Sequence, residues 1–301
     1  MSGAIAFGVF DGLHLGHQRI LARMLARARE TGGPSVVVSF DPHPDVVLGK
    51  SFQIAAPLTP LPERRARLAA LGVQRFDVLP FTRELAALSP EAFVERHLVG
   101  PYSPAALVVG ENFALGRGRT GNVARLREIG ARIGFEVEAV PLLQLEGGPV
   151  TSTRIREQLA RGDVAAAARM LGRRYSLEAR VVTGAGIGRQ LGFPTANLRL
   201  HDEKWVPTYG IYAVWARIGD EERVRPGAMS IGVRPTFGGR DPALEVHLLD
   251  WDGELVGCDL AVEFDSWLRP EFRFEGPEPL IEAMRADVAE VRKRLAGAAA
   301  I

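Results

Sequence analysis

The feature that most constrains the fold is a change in hydrophobic pattern near residue 173. Before it, short apolar runs alternate with amphipathic stretches of helical spacing; after it, strand-like runs are separated by turn-rich segments. Strands that alternate with helices form βαβ units around a parallel sheet, whereas short strands separated by turns form sandwiches or barrels. We therefore expect an α/β domain over residues 1–173 and an all-β domain over residues 174–301.

The first part of the chain has the pattern of a doubly wound parallel sheet. Strands are predicted at residues 4–9, 35–40, 76–80, 105–110 and 135–140, and helices near 17–31, 61–72, 90–99, 122–134 and 151–171. Ligands of such sheets bind beyond the carboxyl ends of the strands, where residues 8–17 are expected to lie.

The second part has the pattern of a small antiparallel barrel. Strands are predicted at residues 177–183, 209–218, 243–250 and 259–264, with turns such as Asp252-Gly253 between them. One helix is expected to end the chain, because apolar residues there share a helical face: Leu280, Ile281, Met284, Val288, Val291 and Leu295.

The composition is that of a soluble globular protein, with 47% hydrophobic and 24% charged residues. No apolar run reaches the roughly 18 residues of a membrane span, and no secretion leader is recognisable. The single cysteine, Cys258, excludes an internal disulfide and fits a reducing cytoplasm. We expect a cytoplasmic protein with no membrane partner.

Charge is distributed unevenly along the chain. Residues 1–174 contain 22 basic and 16 acidic side chains, and the remainder contains 15 basic and 20 acidic ones. A modestly basic first part suits small ligands that carry phosphate. Dense basic runs interleaved with aromatic residues are absent from the sequence, which argues against nucleic acid as a partner. The sequence leaves self-association open.

The stretch GVFDGLHLGH, residues 8–17, joins the first predicted strand to the first predicted helix. Its glycines at 8, 12 and 16 allow tight turns and close approach to a ligand. His14 and His17, three residues apart, are expected to face the same side, where free N–H groups at the helix N-terminus attract anions. This combination favours a polyphosphate site over the alternative, an ordinary glycine loop with one buried histidine.

Other polar residues of the first part have two interpretations each. Thr151-Ser152-Thr153 and Arg156 would supply hydroxyls and a cation at another helix start, or a simple N-cap. Asn112 could bind a ligand or form an Asx turn. His43, between two prolines, could be a surface loop residue.

In the second part, residues 184–197 read GAGIGRQLGFPTAN. In an extended segment Thr195 and Asn197 share one face, and both offer oxygen ligands of the kind that Mg²⁺ accepts beside phosphates. Glu245 interrupts an apolar pattern in the later segment EVHLLD. The alternatives are a plain turn at G-F-P-T and a solvent-facing glutamate.

GVFDGLHLGH resembles the signature of nucleotidyltransferases with an H-x-G-H loop, in the form found in the adenylyltransferase half of bacterial bifunctional riboflavin kinase/FAD synthetases. The segments SFDPHP (39–44), GENF (110–113) and TSTRIR (151–156) are similar to that family in the same order. The resemblance implies a Rossmann-like nucleotidyltransferase domain with catalytic His14 and His17. It also implies ATP binding by Gly8, Phe10, Asp11, Gly16, Ser152, Thr153 and Arg156, and flavin binding by Phe40, His43 and Asn112.

Residues 184–197, 230–237 (SIGVRPTF) and 245–250 (EVHLLD) resemble the riboflavin kinase domain of the same family. The resemblance implies that Thr195 and Asn197 bind Mg²⁺ and ATP phosphate, and that Glu245 is the general base for the flavin 5′-hydroxyl. It further implies phosphate binding by Gly184, Gly188, Gly192 and Pro194. The implied reactions convert riboflavin to FMN and FMN to FAD, with ATP as co-substrate.

The chain departs from the family pattern at Thr151, Ala114-Leu115, Ile187 and Ser230. A K-M-S-K-S-like segment is absent from the sequence, which argues against an aminoacyl-tRNA synthetase. An adenylyltransferase for another substrate, such as phosphopantetheine, would have no use for the kinase-like second part. A non-enzymatic flavin-binding protein is the other alternative, and the retained polar residues argue against it.

Overall fold

The computed structural model describes residues 2–49, 56–233 and 242–297. Residues 234–237 of the SIGVRPTF segment lie outside these ranges. The chain forms two compact units, Met1–Ser152 and Thr153–Ile301. This division lies well before the boundary predicted at residue 173.

The first unit alternates strands and helices. Its strands are β1 (Ala4–Phe7), β2 (Ser35–Asp41), β3 (Arg75–Pro80), β4 (Ala106–Gly110), β5 (Ala114–Leu115), β6 (Gly121–Asn122), β7 (Glu136–Val140), β8 (Gln144–Leu145) and β9 (Gly148–Pro149). Its helices are α1 (Leu15–Thr31), α2 (Pro44–Val47), α3 (Leu61–Ala70), α4 (Arg83–Ala86), α5 (Pro90–Val94), α6 (Gly100–Tyr102) and α7 (Val123–Ile133), with a π-helical turn at Glu95–Val99 and a 3₁₀ turn at Arg117–Arg119.

Five parallel strands of the described chain form one sheet in the order β3-β2-β1-β4-β7. The order reverses at β1, because β2 lies on one side of it and β4 on the other. Such a reversal opens a crevice beyond the carboxyl ends of the strands, where ligands bind. The predicted doubly wound sheet is confirmed, and the loop after β1 lies at its switch point.

The central strands β1, β2 and β4 of this sheet are buried on both faces, as expected for parallel strands covered by helices. Phe7 of β1 packs with Phe93 on one face, whereas Ala6 packs with Met24 of α1 on the other. Each fully buried large apolar side chain contributes about 1.5–3 kcal/mol to folding. The packing anchors α1 and therefore fixes where its N-terminus lies.

The second unit is a barrel with flanking helices. Its strands are β10 (Ser176–Val182), β11 (Ala196–Leu200), β12 (Gly210–Ile218), β13 (Val224–Val233), β14 (Pro242–Leu248) and β15 (Asp259–Arg269). Its helices are α8 (Ser152–Ala160), which begins at the division between the units, α9 (Val164–Leu171), α10 (Ile187–Gln190) and α11 (Pro277–Leu295).

The strands of the second unit close into an antiparallel barrel in the order β10-β11-β14-β13-β12-β15, counted over the described ranges. Side chains alternate along β10: Leu177 and Ala179 are buried, whereas Glu178 and Arg180 are exposed. The predicted barrel and C-terminal helix are confirmed. That helix buries its last two turns, including Val291, against the barrel.

The sequence pattern missed β13 because Pro226 and Gly227 interrupt its apolar run. Gly227 suits this strand, since a Cβ there would lie 3.0 Å from the carbonyl oxygen of His247 on β14. The single helix predicted at 151–171 is two helices, separated by a turn at Gly162, whose φ is +79°.

The turn at Gly162 explains why α8 and α9 group with the barrel. Gly162 lies against Trp267 of β15, at a distance of 3.2 Å from a built Cβ, and α9 packs on the same strand. In the described part of the chain, no helix is long and apolar enough to cross a membrane.

Candidate active sites

The loop after β1 has a strained backbone. Phe10 and Leu13 have φ values of +53° and +44°, and Gly12 has +83°. Such a conformation costs a non-glycine residue about 1–3 kcal/mol, and strain of this kind concentrates at functional sites. Burial holds the strained residues in place, since Phe10 and Leu13 are 2% and 1% exposed.

His14 is the N-cap of α1, and its Nδ1 accepts the backbone N–H of His17 at 3.2 Å. The two imidazole rings stack, with centroids 3.6 Å apart and planes 17° from parallel. The prediction that they face the same side is confirmed. Because Nδ1 of His14 accepts, the proton of its neutral ring is assigned to Nε2.

The pKa of His17 is lowered well below its usual 6.5. Burial is the main cause, because it disfavours the imidazolium, and electrostatic interaction with His14 and with the charged Arg64 lowers the pKa further. Nδ1 of His17 is buried and has no hydrogen-bond partner within the described residues. His17 is therefore a neutral ring at pH 7.

Asp11 joins this loop to the rest of the unit. Its carboxylate accepts the backbone N–H groups of Leu58 and Thr59 at 3.1 and 3.0 Å, and Arg64 lies 3.6 Å away. Its carbonyl oxygen accepts a hydrogen bond from Ser152 Oγ at 2.8 Å. The loop after β1 and the TSTRIR segment are thus brought together at Ser152.

Gly16 also lies at this junction. A Cβ built on Gly16 would lie 3.1 Å from the His14 ring and 3.5 Å from the carbonyl oxygen of Val150. A side chain here would press on the ring of His14, so a glycine suits the first turn of α1.

A cavity of about 560 Å³ opens beside β1, β2 and the loop after β4. Three predicted ligand-binding residues, Phe40, His43 and Asn112, line it together with Gly8. Its wall also carries further aromatic side chains: Phe7, Phe81, Phe93 and Phe113. The size and the aromatic wall suit a flat, apolar ligand with a few polar contacts.

Thr153 and Arg156 of the predicted first site do not line this cavity, and His43, which does, has a structural role as well. Thr153 is exposed on α8. Arg156 is buried in the second unit, where its guanidinium lies 5.8 Å from the centre of the Trp205 ring. His43 caps α2, because its Nδ1 accepts the backbone N–H of Asp45.

The candidate site of the second unit centres on Glu245. Thr195 Oγ1 donates a hydrogen bond to Glu245 Oε2 at 3.0 Å. Asn197 is the direct partner of Glu245 in the β11–β14 register, and Ser230 is its partner on β13. Thr195 and Asn197, predicted from one segment, therefore lie together with Glu245, predicted from another.

The glycines of the loop before Thr195 are explained by how closely this loop packs against neighbouring residues. A Cβ on Gly184 would lie 2.0 Å from the Asn197 side-chain nitrogen, and one on Gly188 would lie 2.4 Å from the carbonyl oxygen of Phe193. Gly192 has a φ of +85°. The loop can therefore pack against Asn197 only because these positions lack side chains.

A cavity of about 650 Å³ adjoins the site, and Gly184, Pro194, Thr195 and Asn197 line it. Its wall includes Trp251, which the sequence pattern did not single out. Sequence reasoning also did not find a role for His247, whose Nδ1 lies 2.8 Å from the carbonyl oxygen of Pro194.

The donor set of the second unit fits Mg²⁺. The hydroxyl of Thr195 and the carboxamide of Asn197 come together beside the carboxylate of Glu245. Mg²⁺ prefers oxygen ligands and is usually held by a few protein oxygens together with substrate phosphates. A group of three or more His, Cys, Asp or Glu side chains able to hold a metal does not occur among the described residues.

Comparison with known proteins assigns a class to each unit. The FAD synthetase family model matches residues 2–154, and the riboflavin kinase family model matches residues 171–295. The chain therefore combines two enzyme domains, a nucleotidyltransferase and a kinase.

The chain is 42% identical to the bifunctional riboflavin kinase/FMN adenylyltransferase of Pseudomonas fluorescens, over 96% of this chain and 92% of that protein. It is 35% identical to the protein of the same description from Listeria monocytogenes, over 96% and 91%. The chain belongs to the bifunctional riboflavin kinase/FMN adenylyltransferase family.

A solved structure shares this fold with a TM-score of 0.88 and 28% identity, over 97% of this chain and 94% of that one. It is described as a macrolide-efflux protein from Streptococcus pneumoniae.

Proposed function

We propose that this protein phosphorylates riboflavin to FMN in its second unit and adenylylates FMN to FAD in its first. The observation that supports the proposal is that some of the residues predicted for each reaction line a cavity of their own. Phe40, His43 and Asn112 line one cavity, and Thr195 and Asn197 line another. An adenylyltransferase for an unrelated substrate would not need the second set.

In the kinase reaction, Glu245 accepts the proton of the riboflavin 5′-hydroxyl while that oxygen attacks the γ-phosphorus of ATP, and ADP leaves. The Thr195 hydroxyl, which donates a hydrogen bond to Glu245, orients the carboxylate. Thr195 and Asn197 would hold Mg²⁺, which neutralises charge on the phosphate oxygens when bound.

In the adenylyltransferase reaction, a phosphate oxygen of FMN attacks the α-phosphorus of ATP, and pyrophosphate leaves. The reaction needs no covalent enzyme intermediate. His17 donates from Nε2 as a neutral ring, and the N–H groups at the start of α1 help to position the triphosphate. Ser152 supports this arrangement through Asp11.

We assign residues 1–173 to the adenylyltransferase domain and 174–301 to the kinase domain. The kinase family model, which begins at residue 171, supports this boundary, whereas the first compact unit ends at residue 152. We also propose that both reactions take place in the cytoplasm, which the single cysteine favours.

The proposal is tested by incubating the purified protein with riboflavin, ATP and Mg²⁺ and separating the flavins by chromatography. We expect FMN to form first and FAD to follow, and we expect FAD from FMN and ATP without riboflavin. Tight riboflavin binding without turnover would instead support a flavin-binding protein.

A further inference from the structure

Arg64 of α3 is a buried cation that the proposed mechanism does not use. It is 4% exposed, although arginine is rarely buried without a specific partner. Its Nη1 donates to the carbonyl oxygen of Val9 at 2.9 Å, and also lies 3.3 Å from Ser39 Oγ. Its Nη2 donates to the carbonyl oxygen of Thr59 at 3.0 Å.

These contacts join three segments around the loop after β1. Val9 directly precedes the strained Phe10, Ser39 lies in β2, and Thr59 donates its own N–H to the carboxylate of Asp11. Ser39 Oγ donates to the same Val9 carbonyl oxygen at 2.9 Å. The guanidinium of Arg64 therefore bonds both to Val9, at the start of the strained loop, and to Thr59, which donates to Asp11.

Arg64 also acts on His17 through its charge. The charged or titratable groups that lower the pKa of His17 are His14, from the loop, and Arg64, from α3. The carboxylate of Asp11 lies 3.6 Å from the guanidinium, but the charge of Arg64 still lowers the pKa of His17.

We propose that Arg64 is a positioning residue of the adenylyltransferase site, which fixes the shape of the loop after β1 and presents a buried positive charge to His17. The inference rests on the proposed function of the first unit. Burial is the main reason that the His17 ring is neutral, and the charge of Arg64 adds to it, so that the ring can donate to phosphate without being protonated.

The test compares Arg64→Lys and Arg64→Met with a control on the same helix, Arg67→Met. Arg67 forms an ion pair with Glu63 at 2.7 Å and is partly exposed. Two readouts are needed: NMR titration of the His17 ring, and the rates of both reactions in the full-length protein.

In Arg64→Met we expect the pKa of His17 to rise toward 6.5 and FAD formation from FMN to fall on the order of 10²-fold. Arg64→Lys keeps the charge but cannot make all the hydrogen bonds of the guanidinium, so the pKa stays low and FAD formation falls less than in Arg64→Met, by at most about tenfold. Arg67→Met changes neither readout, and FMN formation is unchanged in all three variants.

The inference is overturned if Arg64→Met leaves both the His17 pKa and FAD formation unchanged. It is also overturned if FAD formation falls equally in Arg64→Lys and Arg64→Met and the His17 pKa has the same value in the two variants. The charge at position 64 would then have no role. If Arg64→Met does not fold, a raised His17 pKa in Arg64→Lys overturns the inference. An unmodified protein that makes no FAD contradicts the proposed function instead, and the titration still tests Arg64.

Discussion

The protonation state of the stacked histidine His17 depends on residues that lie far along the chain from its motif. His14 and His17 are three residues apart, but Arg64, on another helix, contributes to the neutral state of His17. The sequence predicted that the two rings share one side. It did not predict their stacking or the neutral state, because both depend on long-range packing around the loop.

The lowered pKa of His17 makes stability depend on pH. Below pH 6.5, the usual pKa of histidine, His17 binds a proton in the unfolded chain but stays neutral in the folded protein. We therefore expect the free energy of unfolding to fall on acidification from pH 6.5 toward the lower folded pKa, and to be unaffected by this group above that range.

The measurement is hydrogen exchange of the β1 amides between about pH 7.5 and 5.5, corrected for intrinsic rates. In His17→Gln the slope with pH is smaller, because glutamine does not titrate. Equal slopes in both proteins would show that His17 contributes nothing to the pH dependence.

At Thr195 we expect the hydroxyl to matter more than the side-chain shape. Thr195→Val keeps the shape but removes the hydrogen bond to Glu245, so FMN formation should fall on the order of 10²-fold. Thr195→Ser should retain most of the activity. Measured kcat values for riboflavin phosphorylation check this, and equal values for the two variants would rule out a role for the hydroxyl.

At the scale of elements, the major helices and most strands could be predicted, because their apolar residues recur with the right period. The two-residue strands β5, β6, β8 and β9 were not predicted. In the barrel, β11 and β13 were missed, since Pro194 lies just before β11, and Pro226 and Gly227 lie within β13. Their place is set by cross-strand partners on β14, which a local pattern does not contain.

The glycine loop before Thr195 should tolerate a side chain at Gly184 poorly. Gly184→Ala places a Cβ 2.0 Å from the Asn197 side-chain nitrogen, so the loop or Asn197 must move. Overpacking of this kind costs about 1–3 kcal/mol, and we expect FMN formation to fall at least roughly tenfold.

The matched control is Gly297→Ala, since a Cβ there meets nothing within 4 Å. Both variants should form FAD from supplied FMN at the unmodified rate. If Gly184→Ala phosphorylates riboflavin normally, the close packing of this loop against Asn197 is not needed for the kinase reaction.

At the scale of the whole molecule, the change of hydrophobic pattern near residue 173 predicted both classes of fold. It did not predict where the two compact units divide, which is after Ser152. In the sequence, the helical pattern at 151–171 looks like a continuation of the alternating strands and helices of the first unit. In the structure, the turn at Gly162 lets α9 pack on β15. Local periodicity predicts that a helix forms, and only tertiary packing decides which unit it joins.

The central claim is that the two reactions use separate sites. The direct measurement is a chromatographic time course of riboflavin, FMN and FAD with His17→Ala and Glu245→Gln, each folded like the unmodified protein. His17→Ala removes the ring donor and should accumulate FMN without FAD, and Glu245→Gln should make no FMN from riboflavin but still convert supplied FMN to FAD. Loss of both activities to the same extent in both variants would contradict the claim.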